Sequence, residues 1–471
     1  MTRDDESMMT EQSNKSPIPP RPVASASRDM TEGTVSSHLV RLTGFMLFGF
    51  VAVMGANLME SLYIGRVGTL ELAALGFTFP LVMTLQGMTM GLGVGASSVV
   101  ARSIGASDWP RARRLITHSF LLVIAFVTIV AVVIYFSLEA LFTLLGANDE
   151  ARALASDYMT IWLLGLPFFA IAMVGSSLMR AAGDAVKPSY LMTVGAVIQV
   201  LIGPAFIFGV GGFEGYGLAG AALAFVVART LSFLMYVYYA VKDRLIVFSL
   251  GGLLSSSRAI LHVGLPAIAA NLISPISLTV VTRLLAGHGE AVVAGFSVAS
   301  RIETMLAMVM WALSMSVAPF VGQNWGARQY DRVRGALRSA NIFALAWGAL
   351  AFLCLYLLGP GLIALVNDDP AVIEAASSYL LIIPLGMGMM GIVANSTSSF
   401  NALGMPGPPL IISVTQMLFL SVPLALLGNY LMGYQGIFIG SVVAIVITAV
   451  TSFVWLRLTL KRRIRAALKE G

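Results

Sequence analysis

The chain has 471 residues, of which 58% are hydrophobic and 11% are charged. Its mean hydropathy is +0.86, whereas a soluble domain carries about 25% charged residues, so the composition excludes an ordinary water-soluble fold and indicates a protein of the lipid bilayer. The net charge of +6 is explained by Lys and Arg beside apolar segments, where they set topology and favour anionic lipid, and it does not indicate a nucleic-acid partner.

The two ends of the chain are polar. The first 38 residues contain four prolines among Ser, Asp and Glu, and they have no apolar core of signal-peptide length. We therefore expect residues 1–38 to form a disordered cytoplasmic tail. Residues 462–471 are expected to form a basic cytoplasmic tail.

Between the tails, apolar runs of about 20 residues or more predict twelve membrane-spanning helices, six on each side of a charged linker. The predicted fold class is therefore an all-α polytopic membrane protein. The linker, residues 243–260, contains a Gly pair and a Ser run and is too charged to span, so we expect it to lie at the cytoplasmic interface. The predicted spans are 39–64, 74–104, 112–137, 155–180, 189–210, 218–241, 261–284, 293–322, 333–358, 374–402, 409–429 and 437–459.

The two halves repeat one sequence pattern. The stretch ARSIGASDWPRARR at 101–114 is matched about 221 residues later by GQNWGARQYDRVRG at 322–335. Because six is even, both halves (39–242 and 261–461) enter the membrane from the same side, which predicts two six-helix bundles related by a pseudo-two-fold axis along the membrane normal. The matched positions are Gly105 with Gly326, Ala106 with Ala327, Arg111 with Arg332 and Arg113 with Arg334.

Lys and Arg indicate the orientation, because short loops rich in them stay in the cytoplasm. They cluster at Arg111–Arg114, Lys242–Arg258 and Arg328–Arg334 and in the C-terminal tail, all on one predicted side. Both termini are therefore predicted to be cytoplasmic. The chain has a single cysteine, Cys354, so neither a disulfide nor a thiolate metal site is expected.

Three segments carry a resemblance to one transporter family: SLYIGRVG at 61–68, SRIETM at 300–305 and VGQNWGARQYDRVRGA at 321–336. They resemble the multidrug and toxic compound extrusion (MATE) family, in its DinF-like or a related prokaryotic branch, and the resemblance covers residues 39–460. It implies two six-helix lobes around a central cleft in the bacterial inner membrane, without enzymatic activity. It also implies export of organic cations or drugs by antiport against protons or sodium ions. A monomer is expected.

An ion-coupled exporter needs an ionisable group inside the membrane, and Glu60 is the strongest candidate. It lies six residues, or about 9 Å of helix rise, from Arg66 at the outer boundary, and Asn57 and Tyr63 share its helix face. Burial there favours the neutral carboxyl, so Glu60 could load and release a proton. The resemblance supports this role, because many prokaryotic members have an aspartate at this position. The alternative is a glutamate that reaches back to the outer interface.

Proton coupling is preferred to sodium coupling. In the NorM-like branch of the family, acids in the seventh and tenth helices are tied to sodium binding. Here the seventh helix offers Asn271 and Ser274 and the tenth offers Asn395 and Ser396, and neither has an interior carboxylate. A proton site needs only one carboxyl group, whereas a sodium site requires several oxygen ligands. Hydroxyls and amides around Glu60 could still supply those ligands, so sodium coupling remains the alternative.

The remaining polar side chains of the spans predict the substrate cleft. Arg301 and Glu303 lie two residues apart in the eighth helix, about 200° around its axis, so they face opposite sides. Glu303 is a candidate anion for cationic cargo, and a contact with Arg229 in the sixth helix is conceivable. A buried charge network that only holds helices together is an equal alternative. The predicted cleft residues are Gln199, Arg229, Asn271, Ser274, Arg301, Glu303 and Met305.

Other functional classes fit less well. The sequence has no GxxxxGK[ST] phosphate loop and no HExxH motif, so neither ATP coupling, nor a membrane enzyme, nor a metal site or other cofactor is predicted. A membrane scaffold would not explain ionisable residues inside the spans. A lipid-linked oligosaccharide flippase of the wider superfamily remains an alternative, although such proteins usually have extra helices and a strongly cationic cleft.

Overall fold

The computed structural model describes residues 30–247, 249–364 and 368–470, except for the side chains at positions 213, 274, 275, 360 and 470. Residues 1–29 of the predicted tail lie outside this part of the chain. The described residues are almost entirely helical. A short hairpin between the fifth and sixth helices pairs two strands of two residues each, β1 (Gly209–Val210) and β2 (Phe213–Glu214).

The helices follow the predicted order in two lobes. The N-terminal lobe contains α1 (Val35–Val67), α2 (Thr69–Gly105), α3 (Trp109–Leu144), α4 (Asp149–Ala181), α5 (Val186–Phe208) and α6 (Gly217–Lys242). The C-terminal lobe contains α7 (Leu253–Ala286), α8 (Glu290–Gly326), α9 (Tyr330–Ala364), α10 (Pro370–Ile382), α11 (Met387–Ala402), α12 (Gly407–Val414) and α13 (Val422–Glu470).

Within the described residues, eleven helical segments are long and apolar enough to cross a membrane. The tenth joins α10 to α11 through a 3-10 turn at Ile383–Gly386, where Pro384 lacks the amide hydrogen of a regular helix. The last segment, Gly407–Lys469, holds two spans, because the backbone leaves the helical conformation at Met432 and Gly433. The described part of the chain therefore contains twelve spans in two six-helix lobes, and the predicted fold class is confirmed.

Parts of both predicted tails are structured in the described residues. The predicted disordered tail extends to residue 38, but α1 begins at Val35 and Met30 is fully buried. The reason is a set of contacts between this segment and the C-terminal lobe. At the other end, α13 continues through the basic tail as far as Glu470.

The linker between the lobes is attached to α3. His118, whose side chain is fully buried, contacts the Ser249 carbonyl oxygen through Nε2 at 2.7 Å and Ser256 Oγ through Nδ1 at 2.8 Å. Because α7 already begins at Leu253, the later part of the predicted linker, 243–260, is helical. The linker is thus fixed to the N-terminal lobe.

The lobes contact each other in two equivalent ways, since α1 lies against α8 and α2 lies against α7. Exchanging the lobes turns one pair into the other, as a pseudo-two-fold relation requires. Glycines on α2 allow the close approach. Gly91 lies against Ile268, and Gly95 lies against the backbone of Ile260 and Gly264, where an added Cβ would overlap these atoms.

One end of the bundle carries both loops of the repeat, residues 105–114 and 326–334, and we call it the arginine-rich end. The lobes are in close contact there. Gly105 lies against the backbone of Gln323, and Gly326 lies against the backbone of Arg102. The repeat relates these two contacts to each other, so the arginine-rich end is closed by a symmetric pair of backbone contacts.

Candidate functional site

Glu60 lies on α1, half-buried, with its carboxyl group directed at two other helices of the N-terminal lobe. Oε1 accepts a hydrogen bond from the hydroxyl of Tyr158 on α4 at 3.2 Å. Oε2 accepts another from Nε2 of Gln199 on α5 at 2.9 Å. Two donors from two helices therefore hold this carboxyl group inside the lobe.

Gln199 connects Glu60 to a cation. Its Oε1 accepts a hydrogen bond from Nη2 of Arg229 on α6 at 2.8 Å, so one amide bonds the carboxyl through nitrogen and the guanidinium through oxygen. The guanidinium lies 5.8 Å from the ring centre of Phe169 and 5.2 Å from that of Phe225. We call four residues the Glu60 network: Tyr158, Glu60, Gln199 and Arg229.

The Glu60 network combines a permanent cation with a group that can change its charge. Arginine keeps its proton in proteins, whereas a carboxyl group can exchange one. The ionised carboxylate of Glu60 accepts from both donors, and the positive charge of Arg229 lies one amide away. Protonation removes an acceptor position and a negative charge. A proton on Glu60 therefore weakens the hydrogen bonds that connect α1 to α4 and α5.

The other two members of the predicted stripe lie elsewhere. Asn57 is exposed. The Tyr63 hydroxyl donates to the carbonyl oxygen of Val200 at 3.4 Å, and its ring stands edge-on to Phe208 with centroids 6.3 Å apart. Tyr63 thus packs α1 on α5 one residue away from Gln199, but neither it nor Asn57 bonds Glu60.

Glu303 occupies a separate environment in the C-terminal lobe. Its Oε2 accepts a hydrogen bond from the hydroxyl of Tyr379 on α10 at 2.5 Å. The Tyr379 ring stands edge-on to Phe296 and Phe438, with centroids 5.5 Å and 5.1 Å away. The conceivable contact between Glu303 and Arg229 is not formed, since each bonds a partner in its own lobe.

Arg301 and Met305 lie one helical turn apart on α8, and both are exposed. Glu303, between them in sequence, faces Tyr379. Arg301 and Glu303 therefore lie on opposite faces of the helix, as their spacing predicts. A local ion pair between them is excluded by this arrangement.

Asn271, one of the two predicted cleft residues of α7, lies at the lobe interface. Nδ2 of Asn271 donates to the carbonyl oxygen of Gly87 on α2 at 3.1 Å, so this amide joins the two lobes. The side chain of Ser274 lies outside the described residues. Asn271 is therefore an interface contact, in addition to any role in a cleft.

Neither tyrosine donor is among the residues that the sequence predicts for the site. Tyr158 and Tyr379 are 221 residues apart, the interval that also separates Gly105 from Gly326. They occupy corresponding positions in the two lobes, and each donates to a glutamate. The repeat contained this signal, because a polar residue that recurs at the repeat interval within a span marks a shared structural position.

Comparisons with known proteins place these features in one family. A model of the MatE family matches residues 46–205 and 266–427. The FAD transporter of Shewanella oneidensis is 33% identical over 396 residues, which are 83% of this chain and 87% of that protein. The probable multidrug resistance protein YoeA of Bacillus subtilis is 24% identical over 428 residues, covering 87% of this chain and 92% of that one.

Among solved structures, a variant of the MATE transporter VcmN of Vibrio cholerae superposes with a TM-score of 0.87. It is 30% identical in sequence, and the match covers 91% of this chain and 97% of that chain. The family match spans both lobes and includes the helix that carries Glu60. The chain therefore belongs to the MATE family, whose members are multi-pass membrane transporters and not enzymes.

Proposed function

We propose that this MATE protein is a secondary active exporter of small organic compounds and that it couples export to proton entry at Glu60. The observation that carries the proposal is the Glu60 network, in which one carboxyl group bridges three helices. Proton coupling requires only this carboxyl. Sodium coupling, the alternative, would recruit further oxygen ligands such as the Tyr158 hydroxyl around the same group.

The orientation of the chain is part of the proposal. We infer that the arginine-rich end faces the cytoplasm of a bacterial inner membrane and that both termini lie on that side. Since the lobes are in contact at this end, the conformation corresponds to an outward-facing state. In that state Glu60 exchanges protons with the outside.

The transport cycle then follows from competition between a proton and a cationic cargo for the negative charge of Glu60. An outside proton neutralises Glu60 and lowers the affinity of the cleft for a cationic cargo, which leaves to the outside. The weakened hydrogen bonds to Tyr158 and Gln199 let α1 shift, and the lobes open at the cytoplasmic end. There Glu60 loses its proton, its negative charge returns, and cargo binds again. Antiport requires this mutual exclusion of proton and cargo, which suits organic cations or drugs.

Flavin adenine dinucleotide is a second candidate cargo. The relative that is 33% identical over 83% of this chain is named an FAD transporter, whereas the other relative described above is named for multidrug resistance. FAD carries two phosphates, and the fixed cations Arg229 and Arg301 would attract it. These names support transport of a soluble compound and give no support to transport of lipid-linked oligosaccharides.

Transport into everted membrane vesicles tests the proposal. A fluorescent cationic dye and FAD are supplied in turn, with a pH gradient or a sodium gradient imposed separately. We expect dye accumulation under the pH gradient alone. Accumulation of FAD and not of dye would show that the protein is a transporter whose cargo is FAD and not an organic cation. Accumulation under the sodium gradient alone would replace the coupling ion, and no accumulation of either compound would overturn the proposal.

Gln199→Leu should uncouple Glu60 from Arg229. Leucine resembles glutamine in size but cannot hydrogen-bond, so the contacts at 2.9 Å and 2.8 Å are lost. A hydrogen bond to a charged group contributes about 1.5–3 kcal/mol, and we expect pH-driven dye transport to fall about tenfold or more. Gln435→Leu, which removes a 3.3 Å contact to Ser378 in the other lobe, is the matched control. Equal losses in both variants would contradict a specific role of Gln199.

A further inference from the structure

The segment that precedes α1 crosses from the N-terminal lobe to the C-terminal lobe at the arginine-rich end. The amide of Met30 donates to Oε1 of Gln323 at 3.3 Å, and Nδ2 of Asn324 donates to the Met30 carbonyl oxygen at 3.1 Å. Nε2 of Gln323 also donates to the carbonyl oxygen of Ala181 at the end of α4, at 2.7 Å. Gln323 is therefore bonded to two separate parts of the N-terminal lobe.

Arg332 on α9 makes the densest set of contacts with this segment. Its guanidinium donates to the carbonyl oxygens of Gly33 at 2.7 Å, Met30 at 2.9 Å and Glu32 at 3.0 Å. Nε donates to Oδ1 of Asn324 at 2.8 Å. All of the acceptors in the segment are backbone oxygens, so the guanidinium fixes the backbone of residues 30–33 and not their side chains.

The side chain of Met30 adds an apolar contact across the lobes. It is fully buried in a cluster that includes Leu42 of α1 together with Val317 and Phe320 of α8. The guanidinium of Arg332 also lies over the ring of Phe320, 5.6 Å from its centre. The segment is thus held by charge-assisted hydrogen bonds and by burial at once.

The repeat provides an internal comparison. Arg111 corresponds to Arg332, and Gly251 lies two residues before the start of α7, as Gly33 lies two residues before the start of α1. At this second position Arg111 and Gly251 line a cavity of about 380 Å³. The chain segment that precedes the first helix of the lobe is thus bonded to Arg332 in one case, whereas a cavity lies beside Arg111 in the other.

We propose that residues 30–33 are a latch that holds the two lobes together at the cytoplasmic end, and that Arg332 is the side chain that binds this latch. This rests on the proposed transport cycle, in which that end must open for cargo to bind from inside. Latch release is then a step of the cycle. The latch belongs to the chain segment that leads into α1, and Glu60 lies about 38 Å of helix rise beyond Val35 on that helix. A shift of α1 at Glu60 therefore pulls directly on the latch.

A distance measurement across the cytoplasmic end tests the latch without any cargo. Lys242 on α6 and Arg334 on α9 are exposed and belong to different lobes. Spin labels on Lys242→Cys and Arg334→Cys, in a Cys354→Ala background, report the separation of the lobes by pulsed electron paramagnetic resonance. Three variants weaken the latch in different ways: Arg332→Ala, Met30→Ser and deletion of residues 1–33.

Each latch variant should raise the ratio of long to short distances about tenfold, because the closed state loses contacts that the open state lacks. Arg111→Ala, the matched control, should leave the distribution unchanged. Thermal unfolding and gel filtration identify any variant that fails to fold. An unchanged distribution after the deletion would overturn the latch, as would an equal shift in Arg111→Ala. If the proposed proton coupling failed instead, the vesicle assay would show it while these distances still shifted.

Discussion

Glu60→Gln should abolish pH-driven transport while the protein still folds and inserts. Glutamine matches glutamate in size and can still accept from the Tyr158 hydroxyl, which lies 3.2 Å from the present carboxyl oxygen. It cannot exchange a proton, so the substitution separates titration from packing. Accumulation of a cationic dye in everted vesicles under an imposed pH gradient measures the effect. We expect a loss of about a hundredfold or more, to the background of vesicles without the protein.

Two further variants make this result interpretable. Glu60→Asp keeps an exchangeable carboxyl on a shorter side chain, so we expect partial activity. Glu290→Gln changes an exposed carboxyl at the start of α8 and should transport as the unmodified protein does. Dye accumulation by Glu60→Gln at the unmodified rate would show that Glu60 is not the coupling group. The carboxyl to examine next would be Glu303, which also accepts from a tyrosine hydroxyl.

The fold was largely predictable because a membrane requires long apolar helices and a repeat reveals their grouping. The twelve apolar runs predict the twelve spans, and the interval from Gly105 to Gly326 predicts their division into two lobes. The interruption at Pro384 depends on local packing as well as on the residue, since proline inside α2 at Pro80 leaves that helix continuous. Sequence therefore predicts the spans better than their internal breaks.

The candidate site was predictable only in part. The sequence indicates Glu60, Gln199 and Arg229 separately, as polar groups inside spans, and the structure joins them in one hydrogen-bond network. Their pairing depends on how α1, α5 and α6 rotate against each other, which an apolar pattern does not specify. Tyr158 is one of 13 tyrosines and carries no charge, so composition alone does not distinguish it.

The latch segment shows a different limit of sequence analysis. A proline-rich, polar stretch before the first span predicts disorder, but Arg332 bonds the carbonyl oxygens of Met30, Glu32 and Gly33. Every residue type presents a backbone carbonyl, so such a contact leaves no pattern in composition or periodicity. Met30 itself is a single apolar residue and gives no periodic signal.

Gly105→Ala should disrupt closure of the arginine-rich end. An added Cβ at Gly105 would overlap the backbone of Gln323, and a backbone cannot move aside as a flexible side chain can. Overpacking of this kind costs about 1–3 kcal/mol, so the lobes separate and the closed state becomes about tenfold or more less populated relative to the open state. Because the cycle needs both states, dye transport falls with it. The distance between labels on Lys242→Cys and Arg334→Cys, together with dye accumulation, measures both effects.

Gly76→Ala is the matched control for this prediction. Gly76 also lies in α2, and an added Cβ there would meet nothing within 4 Å. Both substitutions replace a glycine of α2 with alanine, which favours a helix interior by up to about 1 kcal/mol, and only Gly105→Ala adds a clash. Gly326→Ala should reproduce the effect of Gly105→Ala, because its Cβ would overlap the backbone of Arg102 in the repeat-related contact. If the lobes stayed closed in Gly105→Ala, or opened equally in Gly76→Ala, the glycine contacts would not be what allows the arginine-rich end to close.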